Sequence, residues 1–362
     1  MSKRAGRRAL IMAGGTGGHV IPALSLARGL AAEGVQVEWL GSPRGIENRL
    51  VPEAGIPLHR IAVAGLRGNG AAGWLLAPFN LTRAVWQAWR ILRACDPQLV
   101  VGLGGFASGP GGLAAWLTRR PLVIHEQNAV AGLTNRLLAR LAQRVYAAFP
   151  HAFGKGGEVV GNPVRAEIAA LGEALPTPAS MRGRPLRLLV VGGSLGAQAL
   201  NERLPEALAR LPEGERPEVR HQAGRDKDTA TREAYARLAV AAEVTAFIDD
   251  MAGAYGWADL VVCRAGALTV AELAAAGRPA LFVPLPHAVD DHQTANARAL
   301  VEKGAAELLP QTELSAATLA DRLAALLDPD SLATMASQAR ACAHLDAVER
   351  LVAGCMETGF DR

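Results

Sequence analysis

Short apolar runs alternate with helical segments along the chain, and this pattern predicts strands that alternate with helices. The apolar runs are nearly continuous, as in RALIMA, VQVEWLG, PQLVVGLG and PLVIHEQ, and seldom alternate with polar residues. Strands of this kind are buried on both faces, as in a parallel sheet that is covered by helices. The pattern therefore predicts an α/β protein.

The series of strands occurs twice. The first runs from RALIMA to RVYAAF and the second from LRLLVVGG to AAELLP, and a segment rich in Gly and Pro separates them. Because 362 residues exceed what one core usually supports, we predict two Rossmann-like, doubly wound domains that face each other across a cleft. The predicted parts are an N-terminal domain over 1–163, a second domain over 164–340 and a C-terminal helix over 341–362 that returns to the first domain.

The composition is that of a globular protein, with 50% hydrophobic and 20% charged residues. A formal charge of +4 is too small to indicate a nucleic-acid partner. The four cysteines form no C-x-x-C pair, so we expect free thiols in a reducing compartment. The apolar run after MSKRAGRR is too short for a signal peptide, and no stretch approaches the roughly 20 apolar residues of a membrane span. We expect a protein that is soluble or bound to a membrane surface.

Three glycine-rich turns follow predicted strands: GGTGGH at 14–19, GLGGFASGPGG at 102–112 and GGSLGA at 192–197. Such a turn at the start of a helix suits a phosphate, because free N–H groups and the positive end of the helix dipole point at it. A tight turn without a ligand is the alternative for each. A Walker A loop is absent. A dinucleotide fingerprint fits only the second turn, with Glu126 about 20 residues further on, so we expect no nicotinamide or flavin and no other cofactor.

The segment 263–297 is the richest in candidate chemistry. The strand DLVVCR ends at Arg264, and a helix is predicted from near Leu268, with Glu272 one turn inside. A carboxylate there can accept hydrogen bonds from both hydroxyls of a ribose, or it can simply complement the helix dipole. Gln293 and Asn296 lie three residues apart on a predicted helix start, so both can face one site, and neutral amides suit sugar hydroxyls.

These motifs together resemble the MurG family of peptidoglycan glycosyltransferases. The strings that carry the resemblance are GGTGGHVIPAL, LGGFASGP, HEQNAVAGLTN, GNPVR, GGSLGA and CRAGALTVAEL, in the order and spacing of the family from about residue 8 onwards. The resemblance implies the two-domain GT-B fold and transfer of N-acetylglucosamine from UDP-N-acetylglucosamine to the undecaprenyl-pyrophosphoryl-muramoyl-pentapeptide. It also implies a peripheral enzyme at the cytoplasmic face of the bacterial inner membrane, with other cell-wall synthesis proteins as partners.

The resemblance assigns roles to matching residues. On the N-terminal side, Thr16, Gly17 and Gly18 lie near the donor and the acceptor pyrophosphate, and Asn128 contacts the donor side. The donor-binding residues of the second half are Arg165, Ser194 at a phosphate, Ile248 at the uracil, Ala267, Leu268, Thr269, Val270, Ala271 and Glu272 around ribose, phosphate and sugar, and Gln293 at the sugar hydroxyls. His292 stands where some members carry a second glutamine, which puts sugar contacts at that point in doubt.

An inverting displacement needs a general base near the attacking 4-hydroxyl and charge stabilisation for the departing diphosphate. His19 is the first candidate for the base and Glu126 the second. The alternative role of His19 is a hydrogen bond to the backbone or to the acceptor phosphate. Two helix N-termini and Arg264 can stabilise the diphosphate, so we expect no metal. The pair Asp226 and Asp228 lies in a polar segment and is interpreted as solvated surface.

A membrane-facing surface is predicted within residues 54–95, which contain no acidic residue. A helix over about 80–94 would place Leu81, Val85, Ala88 and Leu92 on one face. Its opposite face would carry basic and aromatic residues suited to anionic lipids, and the segment GWLLAPF before it would form an apolar loop that dips into headgroups. The predicted membrane residues are Trp74, Leu75, Phe79, Arg83, Trp86, Arg90 and Arg93. An ordinary solvated basic face is the alternative.

Other classes fit parts of the pattern. A different GT-B enzyme, either a lipid glycosyltransferase or a UDP-sugar 2-epimerase, would share the nucleotide-sugar motifs. A nucleotide-sugar sensor without turnover would share them as well. Transfer of sugar on mixing donor and acceptor distinguishes these from the implied activity.

Overall fold

The computed structural model of the protein describes residues 6–63, 70–193, 196–286 and 291–361, and the side chains of its longest helix from residue 77 onwards. The chain forms two compact units. Unit 1 consists of Met1–Val164 with Leu345–Arg362, and unit 2 consists of Arg165–His344. The predicted boundaries followed residues 163 and 340.

Unit 1 contains strands and helices in alternation, followed much later in the chain by one more helix. The elements are β1 (Arg8–Met12), α1 (Gly17–Ala32), β2 (Gln36–Gly41), α2 (Glu47–Glu53), β3 (Leu58–Arg60), α3 (Gly70–Cys95), β4 (Leu99–Gly102), α4 (Ser108–Leu117), β5 (Leu122–Glu126), α5 (Leu133–Leu138), β6 (Arg144–Ala147), β7 (Glu158–Val159) and α15 (Ala347–Gly359). The sequence pattern did not predict β7, which is only two residues long.

Unit 2 alternates in the same way. Its helices and strands are α6 (Ala166–Ala169), α7 (Pro178–Met181), β8 (Arg187–Val191), α8 (Gln198–Arg210), β9 (Glu218–Gln222), α9 (Asp228–Arg237), β10 (Glu243–Thr245), α10 (Met251–Trp257), β11 (Leu260–Cys263), α11 (Ala267–Ala276), β12 (Ala280–Phe282), α12 (His292–Val301), β13 (Ala306–Leu308), α13 (Ala316–Leu326) and α14 (Pro329–Ala341). Short 3₁₀ turns lie at Ala170–Glu173, Glu213–Glu215 and Gln311–Glu313.

Each unit is built on one parallel sheet, as the continuous apolar runs predicted. Within the described residues the strand order is β3-β2-β1-β4-β5-β6-β7 in unit 1 and β10-β9-β8-β11-β12-β13 in unit 2. In unit 1, Ile11 of β1 pairs with Trp39 of β2 on one side and with Val101 of β4 on the other. The chain thus reverses its direction of strand addition between β1 and β4, and again between β8 and β11. In sheets of this type ligands bind at the carboxyl ends of the strands beside that point.

Both faces of the unit 1 sheet are covered. Helices α1 and α15 bury one face, where Leu26, Leu30, Leu351 and Cys355 are inaccessible to solvent. Helices α3 and α4 bury the other, through residues such as Ala88 and Leu92. Because each strand meets apolar side chains on both sides, its own sequence is apolar throughout.

Helix α3 corrects two predictions. It begins at Gly70, so the backbone of the segment GWLLAPF is helical, and the apolar loop that the sequence predicted is wrong. Leu81, expected on the buried face, is 51% exposed, whereas Ala84 is fully buried. The inward face is therefore formed by Ala84, Ala88 and Leu92, at i, i+4 and i+8, which is the spacing of a single helical stripe.

Candidate functional site

The first glycine-rich turn of unit 1 lies at the switch point of its sheet, directly after β1. Thr16 is the N-cap residue of α1, and its exposed side chain makes no capping hydrogen bond. Gly17 and Gly18 are the first two residues of the helix, and His19 is the third. The opening residues of a helix have N–H groups without intrahelical acceptors, so this end of α1 is suited to an anion.

A buried carboxylate that the sequence analysis missed holds this turn. Glu47, at the start of α2, is 0% exposed. One oxygen accepts a hydrogen bond from the backbone N of Gly15 at 2.9 Å, and the other accepts from Ser42 N and Ser42 Oγ at 3.1 and 2.7 Å. These bonds satisfy the buried charge and fix the backbone that leads into α1.

The second glycine-rich turn makes room for the first. A Cβ atom on Gly105, which has a φ of +85°, would lie 2.4 Å from the carbonyl oxygen of Gly14. A Cβ atom on Gly104, with a φ of +99°, would lie 2.7 Å from Cε1 and Nδ1 of His19. Gly104 and Gly105 are therefore needed for close packing against the first turn and the His19 ring.

His19 is tied into unit 1 by a chain of hydrogen bonds. Its Nδ1 lies 2.9 Å from Oε1 of Gln127, and Nε2 of Gln127 lies 3.1 Å from Nδ1 of His125. His125 in turn places its Nε2 2.9 Å from the carbonyl oxygen of Gly161. Asn162 donates to the backbone oxygen of Gln127 at 3.0 Å. His19 is thus held through Nδ1, and its other ring nitrogen, Nε2, takes no part in this series of hydrogen bonds.

The surroundings of Glu126 do not suit its predicted role as the second candidate base. It is 2% exposed, and Oε1 accepts hydrogen bonds from the backbone N and the side-chain amide of Asn128 at 2.9 and 3.1 Å. Oε2 accepts from Nδ2 of Asn135 at 2.8 Å and from the backbone N of Gly132 at 3.3 Å. Four donors that saturate a buried carboxylate leave it no role as a base. Glu126 instead shapes the loop that presents Asn128.

In unit 2 the carboxylate of Glu272 lies deep in the site. Glu272 is 4% exposed, and Oε1 accepts two hydrogen bonds from the guanidinium of Arg165, at 2.8 and 3.1 Å. The hydroxyl of Tyr255 donates to Oε2 at 3.4 Å. Burial raises the pKa of Glu272, and the charge of Arg165 counters that rise. The interpretation of Glu272 as a dipole partner is wrong, because α11 has no acidic residue in its first turn.

Arg264 supports the neighbouring loop. One Nη donates to the carbonyl oxygens of Val283 and Pro284 at 2.9 and 3.0 Å, and the other donates to Oε1 of Gln311 at 2.6 Å. Burial lowers the pKa of the guanidinium. These contacts differ from the predicted role at the leaving diphosphate, since both Nη atoms of Arg264 donate to groups of the chain after β12.

The third glycine-rich turn follows β8 at the switch point of the second sheet. Gln222 accepts a hydrogen bond from Gly193 N at 3.0 Å and donates to the oxygens of Gly193 and Ala246, each at 3.0 Å. It therefore joins this turn to the loop that carries the half-buried Ile248. Ser194, predicted to meet a phosphate, lies outside the described residues.

The remaining predicted donor residues differ in exposure. Ala267, Leu268 and Val270 are buried at 7%, 8% and 2%, whereas Thr269 and Ala271 are half-buried. Gln293 is half-buried and accepts a hydrogen bond from Leu285 N at 2.8 Å.

Asn296 corrects a prediction. It is fully buried and donates to the carbonyl oxygen of Ala265 at 3.2 Å. We therefore assign it to positioning the turn before α11 and not to a sugar contact. Gln293 is half-buried whereas Asn296 is fully buried, a difference that helical spacing alone does not predict.

The outer face of α3 carries the predicted basic and aromatic residues. Arg83, Trp86, Arg90 and Arg93 are exposed, as is Phe79. The guanidinium of Arg90 lies 4.9 Å from the ring centroid of Trp86, within the range of a cation–π interaction. Trp74 and Leu75 lie outside the described side chains. No described helix combines the length and the apolarity needed to cross a membrane.

Three side chains of metal-ligand type meet at the edge of the unit 1 sheet. Nε2 of His59 lies 2.6 Å from Oε2 of Glu38 and 3.4 Å from Sγ of Cys95. Burial and the nearby Glu38 raise the pKa of Cys95 to about 12, so the thiol is protonated in these surroundings. The guanidinium of Arg8 bonds to the carbonyl oxygen of Cys95 at 3.0 Å. These contacts favour a hydrogen-bonded cluster that stabilises the sheet edge.

The fold and the site define the class of protein. Two doubly wound parallel sheets each carry a glycine-rich turn at the switch point, and unit 2 adds a buried carboxylate beneath a helix start. This arrangement is typical of enzymes that bind nucleotide-activated substrates.

Comparison with known proteins specifies the family. Models of the N-terminal and C-terminal domains of glycosyltransferase family 28 match residues 9–147 and 187–351, so the chain belongs to glycosyltransferase family 28. It is 72% identical, over the full length of both chains, to a protein of Chromohalobacter salexigens. That relative is named UDP-N-acetylglucosamine–N-acetylmuramyl-(pentapeptide) pyrophosphoryl-undecaprenol N-acetylglucosamine transferase. A protein of Alkalilimnicola ehrlichii with the same name is 60% identical over 96% of this chain and 98% of its own.

Solved structures agree with this placement. The crystal structure of MurG from Acinetobacter baumannii is 43% identical, covers 97% of this chain and 99% of its own, and superposes with a TM-score of 0.82. The resemblance to the MurG family, the GT-B type of fold and the transferase class are thereby confirmed. A UDP-N-acetylglucosamine 2-epimerase from Neisseria meningitidis superposes with a TM-score of 0.67 at 13% identity, which shows a shared fold alone.

Proposed function

We propose that this chain is an inverting glycosyltransferase that moves N-acetylglucosamine from UDP-N-acetylglucosamine to undecaprenyl-pyrophosphoryl-N-acetylmuramoyl-pentapeptide. The 72% identity over the full length of both chains to a transferase of that name carries the proposal. The 4-hydroxyl of the muramoyl residue attacks the anomeric carbon, UDP leaves, and a β-1,4 bond forms with inversion. The alternative of a 2-epimerase has only fold similarity in its support.

Unit 2 is proposed to hold the donor. Oε1 of Glu272 already accepts two hydrogen bonds from Arg165, whereas Oε2 accepts a long one of 3.4 Å from Tyr255. Oε2 therefore retains capacity for a ribose hydroxyl. The N-termini of α8 and α11 follow glycine-containing turns at the switch point of the sheet and are proposed to stabilise the diphosphate. Thr269 and Gln293, both half-buried, are proposed to contact the phosphate and the sugar.

Unit 1 is proposed to supply the base and to hold the acceptor. His19 is the proposed general base, because its ring is anchored through Nδ1 by Gln127 and can accept a proton at Nε2. Thr16, Gly17 and Gly18 at the start of α1 are proposed to bind the acceptor pyrophosphate. Asn128 is proposed to contact the donor from its loop.

The decisive experiment is a transfer assay. Purified protein is mixed with labelled UDP-N-acetylglucosamine and a short-chain analogue of the lipid-linked muramoyl-pentapeptide, and both UDP release and label transfer are followed. UDP-glucose and UDP-N-acetylgalactosamine serve as competing donors. We expect transfer from UDP-N-acetylglucosamine alone. Conversion of the donor to its 2-epimer without transfer would refute the proposal.

We further propose that α3 binds the cytoplasmic surface of the bacterial inner membrane, which would bring the enzyme to its lipid-linked acceptor and near other cell-wall synthesis proteins. The exposed Arg83, Arg90 and Arg93 lie beside exposed Phe79 and Trp86. Each basic residue near an anionic surface contributes about 1 kcal/mol. Changing the three arginines to glutamate should therefore reduce vesicle binding at least tenfold.

The assay for this surface is sedimentation with vesicles that contain phosphatidylglycerol, at low and at physiological salt. The matched control changes Arg203, Arg210 and Arg237 of unit 2 to glutamate, which alters the net charge equally. Equal binding by the two triple variants would contradict a specific role for α3.

A further inference from the structure

The side chain of Gln127 connects His19 to a buried histidine, and this connection determines which nitrogen of His19 carries a proton. Gln127 is 1% exposed and His125 is 0% exposed. Neither side chain can exchange its partners for water. The donor and the acceptor of each hydrogen bond in this series can therefore be assigned, starting at the buried end at Gly161 and ending at His19.

The inner end is unambiguous. Nε2 of His125 lies 2.9 Å from the carbonyl oxygen of Gly161, and a carbonyl oxygen only accepts, so the proton is on Nε2. Burial lowers the pKa of His125 to about 4, while Gly161, the charge of Glu126 and the neighbouring His19 modify it. The ring is therefore neutral at pH 7, and its Nδ1 is an acceptor.

The amide of Gln127 is oriented by two neighbours. Its Nε2 lies 3.1 Å from the accepting Nδ1 of His125 and 3.4 Å from the carbonyl oxygen of the same residue. Both of these are acceptors, so the nitrogen of the amide must face them. The oxygen Oε1 then faces His19, 2.9 Å from its Nδ1, and the bond to Asn162 holds the backbone of Gln127 in place.

Because Oε1 only accepts, Nδ1 of His19 must donate. We propose that Gln127 is a positioning residue that fixes His19 as the Nδ1–H tautomer and so leaves the lone pair of Nε2 to receive the proton of the attacking hydroxyl. His125 acts one step further in, since it fixes the orientation of Gln127. This inference rests on the proposed function, because it assigns the base of that reaction.

A neutral amide has a chemical advantage at this position. A carboxylate would also accept from Nδ1–H, but its negative charge would favour the imidazolium. The amide fixes the tautomer without that charge, so the lone pair of Nε2 stays available for the incoming proton.

The test compares three variants in steady-state transfer with a pH profile. Gln127→Met removes the acceptor and keeps the size of the side chain. It should lower kcat about 10- to 100-fold, as loss of an orienting partner typically does, with the KM for the donor within about twofold. Gln127→Glu keeps an acceptor for Nδ1–H of His19 but turns its second oxygen towards the acceptors of His125. It should therefore recover part of kcat and move the acidic limb of the profile to higher pH. Gln143→Met is the matched control, because Gln143 accepts a backbone bond from Leu122 in the same unit.

A second measurement needs no turnover. Long-range ¹H–¹⁵N spectra of histidine-labelled protein distinguish the two tautomers of His19. We expect Nδ1–H in the wild type and in Gln143→Met, and a shift towards Nε2–H in Gln127→Met. A wild-type Nε2–H tautomer, or a Gln127→Met variant with kcat within twofold of the wild type, would overturn the inference. Absence of transfer by the wild type with the Nδ1–H tautomer present would count against the proposed function instead.

Discussion

At the scale of single residues, buried polar side chains hold the loops at the carboxyl ends of both sheets. Glu47 and Glu126 do so in unit 1, and Gln222 does so in unit 2, each through hydrogen bonds to backbone N–H groups. Such groups are costly to bury unless they are satisfied. Residues of this kind set the positions of the exposed groups that are proposed to contact substrates, and each is expected to affect activity through geometry.

The pair of Arg165 and Glu272 gives a prediction at this scale. Arg165→Ala would leave a carboxylate that is 5% exposed without its cation, and should lower the unfolding free energy by about 3 kcal/mol. The double variant Arg165→Ala with Glu272→Gln should regain part of that loss, since no buried charge remains. Denaturant unfolding measures both.

The control for this pair is Arg203→Ala. Arg203 pairs with Glu206, but both are nearly half exposed, and surface pairs contribute at most about 1 kcal/mol. If Arg165→Ala were no more destabilising than Arg203→Ala, the buried pair would lack the role assigned to it.

At the scale of elements, helix α15 packs on the sheet of unit 1, whose strands come from the N-terminal half of the chain. Leu351 and Cys355 are fully buried in the core cluster of α1 and β1. A Cβ atom on Gly29 of α1 would lie 2.6 Å from a methyl group of Val352, so the two helices approach closely at that glycine. The C-terminal helix therefore completes one face of unit 1.

Truncation of Leu351 tests this packing. Leu351→Ala removes a fully buried side chain and should destabilise unit 1 by about 2–5 kcal/mol, seen as an earlier transition in denaturant. Ala353 lies on the exposed side of the same helix, and Ala353→Gln should change the transition little. A Leu351→Ala variant as stable as the wild type would show that α15 contributes little to the core.

At the scale of the whole molecule, two buried histidines predict how stability depends on pH. Burial lowers the pKa of His125 in unit 1 to about 4 and that of His221 in unit 2 to about 3, from an ordinary value of 6.5. At a pH between 6.5 and the lowered pKa of each histidine, the unfolded chain binds a proton at that histidine and the folded chain does not. The unfolding free energy should therefore fall as pH drops below about 6.5, by about 1.4 kcal/mol per pH unit for each histidine.

Unfolding in denaturant at pH 5 and at pH 7.5 measures this effect. His221 bonds to Tyr235 and Asn201 in the core, and His221→Gln removes its titration. The variant is expected to be less stable at pH 7.5 but to lose less stability on acidification. An equal loss on acidification in variant and wild type would assign the acid sensitivity to other groups.

Much of the architecture follows from local pattern. Continuous apolar runs predicted parallel strands, and glycine-rich turns after β1 and β8 predicted where ligand-binding loops begin. The edge strand β7 was missed, because it is only two residues long and pairs on one side only within the described sheet. The extent of α3 was misjudged for a different reason, since GWLLAPF is apolar all round and its composition does not distinguish a helix from an exposed loop.

The sequence by itself determined the family, the two parallel sheets and the identity of His19 and Glu272 as residues to examine, because these depend on short-range spacing and on motifs. Only the tertiary structure decided the partners of buried polar groups. Glu126 was indistinguishable from a base until four donors were seen around it, and Asn296 from a sugar ligand until it was found buried. Gln127 was not singled out, since its role depends on His19 and, through the neighbouring His125, on Gly161. His19 and Gly161 lie far from it in sequence and meet it only when the sheet forms.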